Sequence, residues 1–206
     1  MAKQAAKAVV RATATAVMLP AVLGYHAAAA VLGKDRALEG WSQAVSLLPG
    51  LTGSFLRRAF LARVIAECHP TADIGFGTLF SQTAARIEAD VYVGPRCHLG
   101  LVHLKAGCLI AAGVHVPSGG ATHRFDDPDV PIKDQGGERQ LVTVGAGAWV
   151  GSNAVILADV GDGAVVGAGS VVTKPIPDNM IAAGVPARVI RSRFPDGPGT
   201  ASGGPP

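Results

Sequence analysis

The sequence predicts an all-β stack of short coiled strands that follows a helical N-terminal segment. From about residue 70 the chain repeats every six residues, with an aliphatic residue first, Gly or another small residue second, and a small residue fifth. Glycine is abundant, at 27 of 206 residues, whereas aromatic residues make up only 5%. Many short strands separated by tight turns are typical of such a composition.

The repeat also predicts which side chains form the core. The leading aliphatic residue of each unit is expected to point inward and stack on its equivalents, while glycine permits positive-φ corners and the small fifth residue fits a narrow interior. Cys97 and Cys108 take the fifth position, and with Cys68 they form an odd set without a CxxC pair, so we expect buried free thiols. Clear units begin at Ile74, Ile87, Val93, Ile110, Val144, Val150 and Val166. Near Asp159 one side of the coil is two residues short.

These hexapeptides resemble those of the bacterial hexapeptide-repeat acyltransferases, in particular the sugar O-acetyltransferases. The resemblance covers roughly residues 70–193 and includes WVGSNAVI from Trp149, VVGAGSVVTK from Val165 and AGVPARVIR from Ala183. It implies a left-handed parallel β-helix with three hexapeptides per triangular coil, a homotrimer, and acetyl-CoA as the acyl donor. We therefore expect a helical segment at 1–66, a β-helix acyltransferase domain at 67–193, and a disordered Pro/Gly/Ser-rich tail at 194–206.

A polar segment at residues 117–140 interrupts the repeat. Loops ejected from a rigid scaffold often carry function. In the family that the chain resembles, such a loop supplies the catalytic histidine, and Thr122-His123 followed by Asp126-Asp127 is similar to that segment. We expect His123 to be the general base, because imidazole has an unperturbed pKa of about 6.5. Asp126 and Asp127 are expected to orient His123 or contact the substrate, or else to form turns.

The resemblance also places coenzyme A in a groove between chains, beside the last coils. Small residues would leave the backbone open to the coenzyme there, and cations would contact its phosphates; the alternatives are surface charge for the cations and interface packing for the tryptophan. The residues concerned are Trp149, Gly167, Ala168, Gly169, Lys174, Arg188 and Arg191. His98, His103 and His115 are expected to line the acceptor cleft or to pack.

Three other functions are compatible with parts of the sequence. His98 and His103 resemble a ligand pair of the zinc-dependent γ-type carbonic anhydrases, but a third ligand at the expected upstream spacing is missing, so no metal is expected. A serine acetyltransferase has similar C-terminal repeats, but its helical N-terminal domain should be water-soluble, whereas residues 12–33 of this chain are strongly apolar. A non-catalytic β-helix scaffold needs no histidine loop. The favoured reaction is acyl transfer to a hydroxyl of a sugar or of a cell-envelope glycan precursor, which can be lipid-linked.

The first 66 residues are apolar and basic, with eight basic against two acidic residues. Residues 12–33 carry no charge, a length that can span a bilayer and that also resembles a secretory signal. In the next apolar stretch, Arg57, Arg58 and Arg63 are expected to reach phosphates. Because coenzyme A is cytoplasmic, we expect contact with the inner face of the cell membrane rather than export, and no nucleic acid. Helices that pack on the trimer are the alternative.

Overall fold

The computed structural model describes residues 2–195, with side chains from residue 8 onward, so most of the tail predicted to be disordered lies outside the described residues. Three helices come first: α1 (Ala2–Leu32), α2 (Lys34–Ser46) and α3 (Gly50–Val64). Short strands follow and coil around a common axis, each pairing in parallel with its counterpart in the next coil. The predicted β-helix behind a helical segment is confirmed.

The strands form three sheets, one for each side of the coil. The first contains β1 (Glu67–Cys68), β4 (Arg86–Ile87), β7 (Val102–Leu104) and β10 (Val142–Val144). The second contains β2 (Asp73–Ile74), β5 (Tyr92–Val93), β8 (Leu109–Ile110), β11 (Trp149–Val150), β13 (Val165–Val166), β15 (Met180–Gly184) and the antiparallel β16 (Ala187–Ser192). The third contains β3 (Leu79–Phe80), β6 (His98–Leu99), β9 (His115–Val116), β12 (Val155–Ile156) and β14 (Val171–Val172).

The leading aliphatic residues form the core of the coil. Val93, Ile110 and Val150 occupy equivalent positions on adjacent strands of the second sheet, and each is fully buried. Burial of such side chains contributes about 1.5–3 kcal/mol each. The stack therefore holds neighbouring coils in one register.

The glycine that follows the leading residue has a different role from the one expected. A Cβ at Gly94 would lie 2.7 Å from backbone atoms of Ala111 and Ala112 in the next coil, so close approach of the coils excludes a side chain there. The expected positive-φ corner is found two residues further along the repeat, as at Gly113, where φ is 70°. The close spacing of the coils thus requires glycine at the second position of the repeat, whereas the positive φ favours glycine at the fourth.

The predicted short side of the coil is present. Val144 pairs with Val160, and Val160 with Ile176, through single isolated bridges rather than full strands. The 16-residue spacing of these pairs recurs in backbone-to-side-chain bonds, such as that from the amide of Thr143 to Asp159 at 2.7 Å. The Asp159 carboxylate thus accepts from an amide next to the short side, where the strand pairing is incomplete, and the coil continues beyond it.

The helices close the first coil through buried polar contacts. Arg57 is 3% exposed and donates from Nε to the carbonyl of Ile74 at 2.9 Å, so the expectation that it reaches phosphates is wrong. Asp35 accepts hydrogen bonds from the amide and hydroxyl of Thr83, at 2.8 and 2.7 Å. The hydroxyl of Ser42 accepts from the amide of Phe80 at 2.8 Å. These contacts fix α2 and α3 against the β-helix.

Helix α1 packs on α2 and α3 through one stripe of its surface, while its other face is apolar and exposed. Ala14, Met18 and Tyr25 are buried, whereas Leu23 is 61% and Val31 is 83% exposed. By length and composition the stretch Ala8–Leu32 can cross a membrane, and 17% of its most apolar 18-residue segment is buried. Signal sequences and core helices share that composition. In this structure, the position of α1 is set by its packing on α2 and α3.

All three cysteines are free and buried, as predicted. Burial raises the pKa of Cys68 and of Cys108 to about 12, and it also raises the pKa of Cys97. A thiol is nucleophilic as its thiolate. These side chains are therefore core residues.

A pair of glycine substitutions tests the close approach of the coils. Gly94→Ala should lower the free energy of unfolding by about 1–3 kcal/mol, because the new methyl group meets backbone that cannot give way. Gly40→Ala, the matched control in α2 with open space around its Cβ position, should raise it by about 0.5–1 kcal/mol. Urea unfolding of both variants measures the difference. Equal midpoints would contradict this account of the repeat.

Candidate active site

The interruption of the repeat folds into a loop with an ordered stem. It leaves the coil after β9, contains a short 3₁₀ helix at Ile132–Asp134, and returns at β10. Backbone hydrogen bonds of 2.8 Å close it at three levels: Arg124 to Gly136, Glu138 to Ala121, and Gln140 to Ser118. The two arms of the loop thus support each other, and His123 lies between the middle and the outermost of these three contacts.

Ser118 fixes the point at which the loop leaves the coil. Its backbone has φ 73°, a left-handed conformation that is uncommon for residues other than glycine. Its buried hydroxyl accepts a hydrogen bond from the amide of Leu101 at 2.8 Å. Gly100 leaves room for this hydroxyl, since a Cβ there would lie 2.2 Å from it. The exit direction of the loop is therefore determined by the rigid coil.

His123 lines a cavity of about 240 Å³ between the loop, the third sheet and α2. The structure brings together His98 and His115, which stand on β6 and β9, with His123 from the loop. The rest of the wall is formed by Glu39, Ser81, Gln82, Gly100, Val116, Pro117, Ser118, Thr122 and Arg139. Imidazole, carboxylate and guanidinium groups therefore converge on a space of small-molecule size.

His98 and His115 are direct neighbours in the parallel register, with ring centroids 5.9 Å apart. Partial burial lowers the pKa of His98, and the nearby His115 lowers it further, while Glu39 opposes the change. At neutral pH His98 is therefore uncharged. A neutral imidazole has one donor and one acceptor nitrogen, which suits it to bind a hydroxyl group.

His103 is not part of this cavity. It lies on β7 in the first sheet, where Nε2 is 2.7 Å from Oε1 of Glu88. The other oxygen of Glu88 accepts from the amide of Ala106 at 2.9 Å, and these two bonds lower the pKa of Glu88. His98 and His103 thus occupy different sides of the coil. Across residues 2–195, no group of three or more His, Cys, Asp or Glu side chains is placed to hold a metal ion.

The two aspartates of the loop are engaged within the loop itself. Asp126 forms a two-pronged ion pair with Arg124, at 3.1 and 2.8 Å, which lowers its pKa. Asp127 accepts from the amide of Asp129 at 3.0 Å, a turn contact. Within the described part of the chain, neither nitrogen of the His123 ring has a hydrogen-bond partner. The geometry of Asp127 matches the turn-forming alternative.

The residues expected to bind coenzyme A lie on the second sheet and around the corner where it meets the third. Trp149 is 51% exposed and pairs in register with Leu109 and Val165. Gly167, Ala168 and Gly169 form the turn after β13, Lys174 follows β14, and Arg188 and Arg191 lie on β16. All four polar or aromatic side chains in this set are exposed. Trp149, Arg188 and Arg191 lie on a different side of the coil from His98 and His115, whereas Lys174 follows a strand of the third sheet, which also contains those two histidines.

Two charged side chains of the cavity were not predicted from the sequence. Glu39 comes from α2, and no spacing connects it with a loop more than 70 residues away. Arg139 lies within residues 117–140, on the returning arm of the loop. The position of Arg139 near the end of the interruption is a signal that could have found it, because the arms of a closed loop face each other.

Comparisons with known proteins agree with the repeat and the fold. Residues 141–174 match the family model described as the hexapeptide repeat of succinyl-transferase. A probable acetyltransferase of Mycobacterium tuberculosis is 42% identical over 73 residues, which are 34% of this chain and 24% of that protein. The chain thus matches about a quarter of the length of this curated relative.

Solved structures share the fold over most of the chain. A maltose O-acetyltransferase from Clostridium difficile 630 has a TM-score of 0.60 at 20% identity, covering 77% of this chain and 87% of its own. A galactoside acetyltransferase in complex with coenzyme A has a TM-score of 0.62 at 24% identity, covering 79% and 84%. A hexapeptide-repeat acetyltransferase from Vibrio cholerae, complexed with acetyl-CoA, has a TM-score of 0.59 at 18% identity, covering 80% and 91%. The chain therefore contains hexapeptide repeats and has the left-handed β-helix fold of these acetyltransferases.

Proposed function

We propose that the protein transfers an acyl group, in the first place acetyl, from coenzyme A to a hydroxyl of a sugar or cell-envelope glycan precursor, with His123 as the general base. The observation that carries this proposal is the delivery of His123, by a loop with a fixed exit, to a cavity that also contains His98 and His115. Structures that share the fold are named as maltose and galactoside acetyltransferases, and the latter was solved with coenzyme A.

The reaction is a direct transfer between two bound substrates. An imidazole nitrogen of His123 accepts the proton of the acceptor hydroxyl while the oxygen attacks the thioester carbonyl. Backbone N–H groups stabilise the resulting oxyanion, the carbon–sulfur bond then breaks, and the proton passes to the departing coenzyme thiolate. The cysteines are buried and their pKa values are raised, so they are unsuited to form an acyl intermediate.

The remaining walls of the cavity support a polyhydroxylated acceptor. Neutral His98 donates and accepts hydrogen bonds, Glu39 is an acceptor, and Arg139 is a donor. We assign these side chains to the binding of acceptor hydroxyls. His103 is excluded from this set because it pairs with Glu88 elsewhere, and Asp126 and Asp127 support the loop rather than contact the acceptor directly.

We further propose that the active enzyme is a homotrimer with sites shared between chains. Tyr92, Leu109 and Trp149 are direct neighbours across the second sheet and are 43%, 41% and 51% exposed. An exposed apolar patch of this kind indicates an interaction surface. Trp149, Arg188 and Arg191 lie on the second sheet, whereas the cavity of His123 lies against the third, so we propose that a neighbouring chain brings acetyl-CoA and base together.

Residues 1–66 are proposed to hold the enzyme at the inner face of the membrane, near a lipid-linked acceptor. The exposed apolar face of α1 supports contact with lipid. Because the buried stripe of α1 packs on α2 and α3, the helix would lie along the surface. That arrangement keeps the β-helix on the cytoplasmic side with its donor.

Replacing His123 tests the catalytic role. His123→Ala should lower kcat roughly 10²–10⁴-fold, as expected for loss of a general base, without a change in thermal stability, because the side chain is exposed. His26→Ala, an exposed histidine on α1, is the control and should retain full activity. The assay measures acetyl transfer from acetyl-CoA to a panel of envelope glycans. Near wild-type turnover of His123→Ala would refute the assignment.

Titration of the histidines tests the electrostatics of the cavity. By NMR, the pKa of His98 should lie below the ordinary value of about 6.5. His115→Gln should raise it only in part, because burial is the larger cause. Binding of acceptor should accordingly weaken as the pH falls through this pKa and His98 becomes charged. An ordinary pKa for His98 in the wild-type protein would contradict the described cavity.

A charge on the exposed apolar patch tests the oligomeric state. Leu109→Asp should convert the trimer to monomers and abolish transfer, because a carboxylate cannot be desolvated at an apolar contact. Arg86→Asp, on the exposed face of the first sheet, is the control and should remain trimeric. Sedimentation measures both variants. A monomeric and fully active wild-type enzyme would refute the shared site.

A further inference from the structure

We propose that a cavity between α1 and α3 binds the phosphate of an anionic lipid, an inference that rests on the proposed membrane contact and makes it specific. The cavity has a volume of about 220 Å³. It lies in the helical segment and shares no lining residue with the cavity of His123. The site would therefore add lipid recognition to the enzyme without touching its catalytic residues.

Three guanidinium groups line this cavity, those of Arg11, Arg58 and Arg63. None of its lining residues is acidic, and the ion pairs found among residues 2–195 involve none of these arginines. Three cations in one concave space repel each other unless an anion binds between them. The charge of the cavity thus favours a negatively charged ligand.

Two of the arginines are held in place and keep free donors. Arg58 donates to the carbonyl of Ala72 at 3.0 Å and stacks on the ring of Phe55 at 4.9 Å, while Arg63 donates to the carbonyl of Ala59 at 3.0 Å. A guanidinium has five N–H donors in a planar fork, so most remain available. Such forks match the oxygens of phosphate.

An apolar groove of about 400 Å³ adjoins the arginine cavity, and the two share Ala14 and Phe55 in their walls. The rest of the groove is lined by Val9, Val10, Thr13, Val17, Leu51, Thr52 and Leu56, none of which is charged. Leu51 is 74% and Val17 is 57% exposed. A ligand that fills both spaces must be anionic at one end and apolar along the other, which describes a phospholipid or a lipid-linked phosphate.

The hydrogen bond between Arg58 and Ala72 shows where the arginine cavity and the apolar groove lie relative to the β-helix. Because Ala72 belongs to the first coil, the arginine cavity is next to the β-helix. The groove lies instead at the start of α3, where Leu51 is exposed. A lipid with its phosphate toward the β-helix and its chains toward Leu51 therefore fits the order of the two spaces.

Vesicle binding by the full chain tests the proposal. Vesicles of phosphatidylcholine with about a third of phosphatidylglycerol should bind at least tenfold more tightly than phosphatidylcholine alone. Arg11→Gln and Arg63→Gln should each weaken binding to the anionic vesicles about fivefold, and the double variant roughly 25-fold. Acetyl transfer to a soluble sugar should be unchanged in these variants, since neither residue is near His123.

Arg36→Gln is the matched control, because it removes the same charge from an exposed position of α2 that lines neither cavity. It should keep nearly wild-type affinity; an equal loss would assign the attraction to diffuse charge and overturn the site. Displacement by inorganic phosphate at constant ionic strength would overturn the lipid assignment in favour of a free anion. Equal binding to both vesicle types would overturn the phosphate site but leave the membrane contact, whereas no binding to either would refute both.

Discussion

The close stacking of the coils is the constraint on which the rest of the structure depends. Leading residues such as Ile110 are fully buried between equivalents above and below, and Gly94 leaves no space for even one methyl group. An interior this narrow accepts mainly small and aliphatic side chains. Every group with chemical function must therefore point outward from a strand or leave the coil in a loop, as His98 and His123 do.

That constraint explains the organisation of the cavity. The parallel register places His115 directly beside His98, and Ser118 fixes the direction in which the loop leaves. The polar contacts of α2 with the first coil bring Glu39 to the same wall. A rigid scaffold thus orients groups from three separate parts of the chain, which is what the proposed acyl transfer between two bound substrates needs.

The fold could be predicted from the sequence because each six-residue unit corresponds to one side of a coil. Even the short side near Asp159 could be predicted from the shorter spacing there. The location of His123 on a loop outside the coil could be predicted because it lies in the interruption of that repeat. The side of the coil to which a histidine belongs was harder: His98 and His103 are close in sequence but on different sheets. Glu39 and the buried Arg57 depend on helix docking, for which the sequence has no periodic signal.

The central claim is direct acyl transfer assisted by His123. Its most direct test follows a radiolabelled acetyl group through a single turnover. The enzyme is mixed with radiolabelled acetyl-CoA and an envelope glycan, quenched in acid, and separated into protein, coenzyme and acceptor. The account predicts label that passes from coenzyme to an acceptor hydroxyl and never appears on protein. Acetyl label on the protein, or transfer at an unchanged rate by His123→Ala, would contradict it.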